Sequence, residues 1–263
     1  MMTKRPHSSF AVLGFIAGIL TLFAASASVF FGASIKPWKP AAGRATSPAS
    51  RVALVSPPSN AASLFAPEKG KFRILVSGQE TGKEEFEISA SGSGWMARGT
   101  SEIESPQGTT HITGTLALHP DGTPERYEWS TEGPKKASAA VAFNGVTAVA
   151  ELHLEGMRPF TQQFTFNSPH IAILDNNLYH HFVILARLYD WEKKGAQTLP
   201  VFVPQDMTPG SVTLESVGKQ DVGGTRLEEL RVKTEDLELD LYLNGPRLVR
   251  IIAPSTNAEI VRD

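Results

Sequence analysis

Cysteine is absent from the 263 residues, which excludes disulfide staples, a thiolate nucleophile, thiolate-bound metal and the lipid-attachment cysteine of a bacterial lipoprotein. Acidic residues are missing from the first 67 positions, where Lys4, Arg5, Lys36, Lys39, Arg44 and Arg51 are the only formal charges. Removing those six from the 25 basic residues leaves 19 against 27 acidic ones, so the remainder carries −8. A domain of that sign repels phosphate backbones and gains nothing from counterion release, so nucleic acid is excluded as an expected partner. No glycine spacing of a phosphate loop or dinucleotide fingerprint occurs, and Gly92-Ser93-Gly94 lacks the outer pattern of a nucleophile elbow. No cofactor is therefore expected.

What the chain does have is a long uncharged run near its start. Phe10 to Ile35 carries no charged residue, and a helix over the core from Phe10 to Phe31 would rise roughly 33 Å, enough to cross a bilayer. The alternative is a cleaved export signal, since Ala25-Ser26-Ala27 offers the small-x-small pattern of a cleavage site. Residues 1–35 are read as a transmembrane anchor or signal peptide. Either reading puts the rest of the chain in the cell envelope: anchored in the inner membrane and facing the periplasm, or secreted there after cleavage behind Ala27.

Residues 36–67 hold six prolines, Pro37, Pro40, Pro48, Pro57, Pro58 and Pro67, among Ala, Ser and Arg. Such a composition buries too little apolar area to order itself and reads as a disordered tether, with a reach of about 30 Å for a flexible chain of that length. From residue 68 to 263 a single β-rich domain is expected. Apolar residues there recur with a period of two, as in Phe72-Ile74-Val76 and Phe86-Ile88, and turn residues separate the runs. Asn144-Gly145 between two such runs predicts a type I′ hairpin turn.

One helix interrupts the strands. Asp175 is positioned as its N-cap and Gly195 as its stop, behind Lys193 and Lys194, which predicts a helix from Asn176 to Lys194. On a helical wheel Leu178, Phe182, Leu185 and Tyr189 share one face, His180 falls near Arg187 on the polar face, and His181 lies on the flank beside Leu185 and Leu188. About eleven strands and one long helix predict a mainly β fold, a strongly curved antiparallel sheet forming a half-barrel or open barrel wrapped around that helix.

The adjacent histidines do not form a metal pair, because helical neighbours point 100° apart and a zinc pair needs i,i+4 spacing. No metal site is expected. Asp175 with His180 or His181 is the only candidate catalytic set, for a hydrolase, and a capping role for Asp175 with a core-edge His181 is the structural alternative. The inward rows offer candidate contacts to an apolar or lipid-like ligand at Phe143, Phe164, Leu178, His181, Phe182, Leu185 and Tyr189.

The strand pair Phe72 to Phe86 around Ser77-Gly78, the segment Ile173-Leu174-Asp175-Asn176-Asn177 and the closing run Arg247-Leu248-Val249-Arg250-Ile251 together resemble bacterial periplasmic β-rich proteins of unknown function. Those are similar in shape to the half-barrels that carry lipids or lipoproteins between membranes. The resemblance covers most of residues 70 to 263, implies a concave binding face and transfers no catalytic residue. Three functions follow as expectations: a non-catalytic envelope module that binds an apolar or lipid-like ligand under the helix, a structural or assembly protein that contacts other envelope proteins through sheet edges, and a hydrolase.

Overall fold

The computed structural model describes residues 64–234 and 237–263. The expected membrane or signal segment and most of the expected tether lie outside the described residues. Among the described residues no helix is long and apolar enough to cross a membrane.

Fifteen strands form one sheet that is not closed. They are β1 (Glu68–Val76), β2 (Gln79–Ser91), β3 (Gly94–Ser105), β4 (Gly108–Leu118), β5 (Pro124–Glu132), β6 (Ala137–Asn144), β7 (Thr147–Leu154), β8 (Phe160–Thr165), β9 (Ala172–Ile173), β10 (Gln197–Val203), β11 (Thr208–Val222), β12 (Thr225–Lys233), β13 (Glu238–Asn244), β14 (Arg247–Ala253) and β15 (Ala258–Arg262). The order across the sheet is β8-β7-β6-β5-β4-β3-β2-β1-β15-β14-β13-β12-β11-β10-β9. Two antiparallel meanders meet where β1 pairs with β15, joining the first strand to the last, and only β9 to β10 is parallel. The sheet is four strands larger than the expected eleven, and β9 is the strand no pattern foretold: two residues are too few to establish a period.

The strand ends obey local chemistry. Ser77 and Gly78 both take positive φ, 52° and 79°, the pair a type I′ turn requires. At the β6–β7 hairpin the expectation needs correction: Asn144 pairs with Thr147, so the two loop residues are Gly145 and Val146, and only Gly145 is at positive φ, 58°. That pattern belongs to type II′, and the glycine occupies the first central position because no side chain fits there without strain.

Alternation places one face of every strand in a common core, with Phe72, Ile74, Phe86, Ile88, Leu116, Tyr127, Val141, Ala150, Leu230, Leu241 and Ile251 all buried. The sheet also coils. β8 and β10 stand first and fourteenth in the strand order, about 62 Å apart in a flat sheet at the usual inter-strand spacing. Yet the rings of Phe164 on β8 and Phe202 on β10 lie 4.7 Å apart, and Phe166 meets the same Phe202 ring at 5.9 Å. Accumulated strand twist brings the ends together without pairing them. Packing begins ahead of β1, since Phe65, at the end of the stretch read as tether, is buried with its ring 5.9 Å from Trp95.

Among the described residues the one α-helix, α1, spans His180–Leu188, half the predicted length. Asn177 takes a left-handed φ of 63°, which no helical turn tolerates, and Tyr189 is extended at φ −70° and ψ 127°. Past that point Asp190 caps the amides of Glu192 and Lys193 at 3.1 Å in a separate turn.

Candidate functional site

Cross-strand register assembles the surroundings of α1. Glu84 on β2 pairs with Phe72 on one side and with Ser101 of β3 on the other. The next row runs Gly70, Phe86, Gly99, Gly114, Trp129 across β1 to β5. Opposing residues in paired strands share a face, so two glycines lie next to each other on the inner side. They open a trough. A Cβ on Gly99 would overlap the His180 ring and one on Gly114 would lie 2.6 Å from Leu178 Cδ1, so these strands can receive Leu178 and His180 only if both positions lack side chains.

Glu84 reaches across the trough to the start of α1. Its Oε2 accepts the Tyr179 amide at 2.7 Å and the His180 amide at 3.2 Å, and its Oε1 lies 2.5 Å from His180 Nδ1. The first turn of α1 contains no acidic residue, and the side chain at its N-cap makes no capping bond. A strand residue 96 positions away therefore supplies the cap that the local sequence lacks. Ser101 donates its hydroxyl to the Asn177 carbonyl.

Asp175 fastens the other side of the segment. Its Oδ2 accepts the Tyr127 hydroxyl at 2.7 Å and its Oδ1 the Gln205 amide at 3.0 Å, while its own amide donates to His181 Nδ1 at 3.2 Å. That last bond assigns the His181 proton to Nε2. The Tyr127 ring also meets the His181 ring edge-on at 5.3 Å. Asn176 donates to Asp206 at 3.0 Å and accepts from Gln205 at 3.1 Å, tying the same segment to the 3-10 turn Pro204–Asp206.

These groups are sealed from water. Glu84, His180 and His181 are fully buried and Asp175 is 4 % exposed. Burial pushes the Glu84 carboxyl up to about 8, partly opposed by the two amides it accepts, and pushes Asp175 up to about 7 against the Tyr127 hydroxyl and the Gln205 amide. The same desolvation lowers His180 to about 3 and holds His181 well below the ordinary imidazole range, with neighbouring His180 adding to it. Burial thus disfavours the charged form of both members of the Glu84 and His180 pair, which share a short hydrogen bond away from water. The Nε2 atoms of His180 and His181 have no hydrogen-bond partner.

The helical wheel is thus overturned for His180, which lies not on a polar surface but under the sheet. The carboxylate–imidazole pair is Glu84 with His180. Asp175 meets His181 only through its backbone amide. The residues expected to touch a ligand do converge, but on one another: Phe164, Leu178, His181, Phe182, Leu185 and Tyr189 are all buried, and Phe143 packs against the same core from a half-buried position. Leu178, His181 and Leu185 have no accessible surface, so no space as large as a water molecule adjoins them. Sequence reasoning missed Glu84, Gly99, Ser101 and Gly114. Glu84 had a legible signal, since it is in phase with Phe86 and Ile88 and therefore points inward with them.

Most other charged groups stay on the surface, the Arg262 side chain and Glu229 being buried exceptions. His153 pairs with Glu151 at 2.9 Å in the open, and among the described residues no three His, Asp or Glu side chains converge as a metal site would require. A groove of about 620 Å³ runs over the β1–β3 region, lined by Lys69, Lys71, Glu85, Glu87 and Arg98. Lys69 and Lys71 there are already paired with Glu87 and Glu85 at 3.2 and 2.5 Å.

The exposed apolar side chains lie elsewhere. Val146, Val149, Met157 and Phe160, on β7, β8 and the turns flanking β7, are four of the five large apolar residues exposed among those described. β8 is an end strand of the sheet, and its sequence Phe-Thr-Gln-Gln-Phe-Thr carries no charge and no proline.

No protein-family model and no curated protein matches this chain. Its function must be read from the site itself.

Proposed function

We propose that the chain is a non-catalytic envelope module that contacts another envelope protein through the β7–β8 edge, taking an extended segment of that partner as an added strand. The carrying observation is the coincidence of a free end strand with four exposed apolar side chains. Sheet edges that face water are usually blunted by charge, proline or a covering element, and β8 carries neither charge nor proline. Main-chain pairing would give affinity, and the exposed alternate side chains Phe160 and Gln162 would give selectivity. An envelope address rests on the uncharged run from Phe10 to Ile35 and the proline-rich stretch behind it. The domain from residue 68 to 263 would then be held near the membrane, or freed into the periplasm if the chain is cleaved behind Ala27.

A photo-crosslinking residue at Thr161, which is exposed on β8, tests this in cells. A discrete protein adduct that is absent when the same crosslinker is placed at Lys219 on β11 supports the edge. Equal adducts from both positions, or none from Thr161, would contradict it.

The apolar concavity is the second reading, favoured by the inner position of Phe143 against the core and of Phe164 where the sheet ends meet. It describes a half-barrel that holds a lipid-like ligand under the segment from Asn176 to Lys194, and it requires that segment to move, because Leu178 and Leu185 are completely enclosed. Solvent extraction and native mass spectrometry of the purified protein check it: co-purifying lipid at about one per chain supports it, and an empty protein counts against it. Burial of Asp175, His180 and His181 leaves the hydrolase reading without access for a substrate.

A further inference from the structure

The segment from Leu174 to Leu188 is attached differently from the strands that surround it. Upstream it joins the sheet through the two residue pairs of β9 and the Leu174 amide on the Phe202 carbonyl at 3.1 Å. Beyond Leu174 its anchors to the sheet are side chains: Glu84 on the Tyr179 and His180 amides, Ser101 on the Asn177 carbonyl, Asp175 on Tyr127, and at the helix end Arg187 on Glu68. Two of these anchors are carboxyls without a cationic partner, and they face each other's territory: Glu84 reaches from the sheet into the segment, and Asp175 reaches from the segment to the sheet and the Pro204–Asp206 turn.

We infer that Glu84 and Asp175 form a protonation-controlled latch: the segment stays seated in the glycine trough while both carboxyls are neutral and lifts locally from an intact sheet when they ionise. The titratable groups facing the pair come from four elements. β2 contributes Glu84 alone, β5 Tyr127, the segment Asp175, Tyr179, His180 and His181, and the Pro204–Asp206 turn Asp206, which Asn176 holds at 3.0 Å. None is a resident cation. The arginines near α1 are engaged elsewhere, Arg187 and Arg262 both pairing with Glu68 at 3.3 and 2.5 Å. An ionised Glu84 or Asp175 would be a buried charge with neutral partners only, two amides and the His180 imidazole for Glu84, an amide and a hydroxyl for Asp175, which offsets part of its desolvation and no more.

Both carboxyls are raised by burial, to about 8 and about 7, above ordinary values near 4. The seated state is therefore fully favoured at low pH and is lost as pH rises through those values. The imidazoles act in the opposite sense: held neutral by burial, they favour seating above pH 6.5 and oppose it only in acid.

Hydrogen–deuterium exchange of the full chain between pH 6 and pH 9, corrected for intrinsic exchange, tests the latch. Peptides covering 176–188 should lose protection about tenfold or more from pH 6 to pH 8, while β3 and β4 keep theirs. Glu84→Gln, which preserves an acceptor for the two amides and a donor for His180 Nδ1, should flatten much of that dependence, and Asp175→Asn the rest. A pH-independent 176–188, or a loss shared equally with β3 and β4, overturns the latch. So does an unchanged pH response in both variants. Should either variant fail to fold, the contrast between segment and strands in the unaltered chain still decides.

Discussion

Glu84 is a charged residue type at a core position, and its energetic role follows from what it satisfies. Truncation by Glu84→Ala strands the amides of Tyr179 and His180 and leaves a hole beside Phe86, at about 3 kcal/mol for the unmet donors and cavity together. Urea unfolding should show that loss, and Glu84→Gln should show less than half of it. Gly99→Ala asks a purely steric question: the added methyl overlaps the His180 ring, and overpacking of this kind costs about 1–3 kcal/mol, read from the same unfolding midpoint. At this scale the sequence was partly transparent. His181 was recognisable as an inward-facing histidine and Glu84 could have been found from its phase with Phe86 and Ile88, but Asp175 is not the expected helix cap: the N-cap is Tyr179, and the Asp175 carboxyl takes the Tyr127 hydroxyl and the Gln205 amide instead. The burial of His180 could not, because a helical wheel knows nothing of a glutamate on a strand 96 residues away.

Elements were easier to recognise than to delimit. Period-two runs located nearly every strand because each buries one face only, and Phe72-Ile74 or Leu239-Leu241-Leu243 needed no tertiary information to be legible. The helix was overestimated at both ends because its caps are tertiary. Its start is set by Glu84, and its end by extended Tyr189, whose hydroxyl donates to Gly195 at 2.8 Å and accepts the Ser216 amide at 3.2 Å. Tyr189→Phe removes both bonds without changing the ring packing and should lower stability by about 1–2 kcal/mol in thermal unfolding. The β6–β7 turn gives a second check. Because Gly145, not Asn144, carries the positive φ, Gly145→Ala should cost about 1 kcal/mol or more and Asn144→Ala markedly less, again by unfolding midpoint.

At the scale of the whole molecule, composition and alternation sufficed for a mainly β fold with one helix, but not for the return of β8 towards β10. That contact between Phe164 and Phe202 is the sum of many small strand twists, and no local pattern encodes a sum. Burial of the titratable cluster predicts a stability optimum in mildly acidic solution. Glu84 and Asp175 subtract stability as pH rises towards 8, and His180 and His181 subtract it as pH falls below 6.5. A melting-temperature profile should therefore peak between about pH 4.5 and 6.5. Coiling also leaves β8 as a bare edge, on which the functional reading depends. Lysine at Val149 and Phe160, both about two-fifths exposed, places gatekeeping charge on that edge at small cost to the fold, within about 1 kcal/mol for the pair. The decisive measurement is the yield of the Thr161 crosslinked adduct in cells expressing Val149→Lys/Phe160→Lys beside the unaltered chain at equal abundance: the proposed edge contact predicts that the adduct disappears while the melting temperature holds, and an adduct that persists undiminished would contradict it.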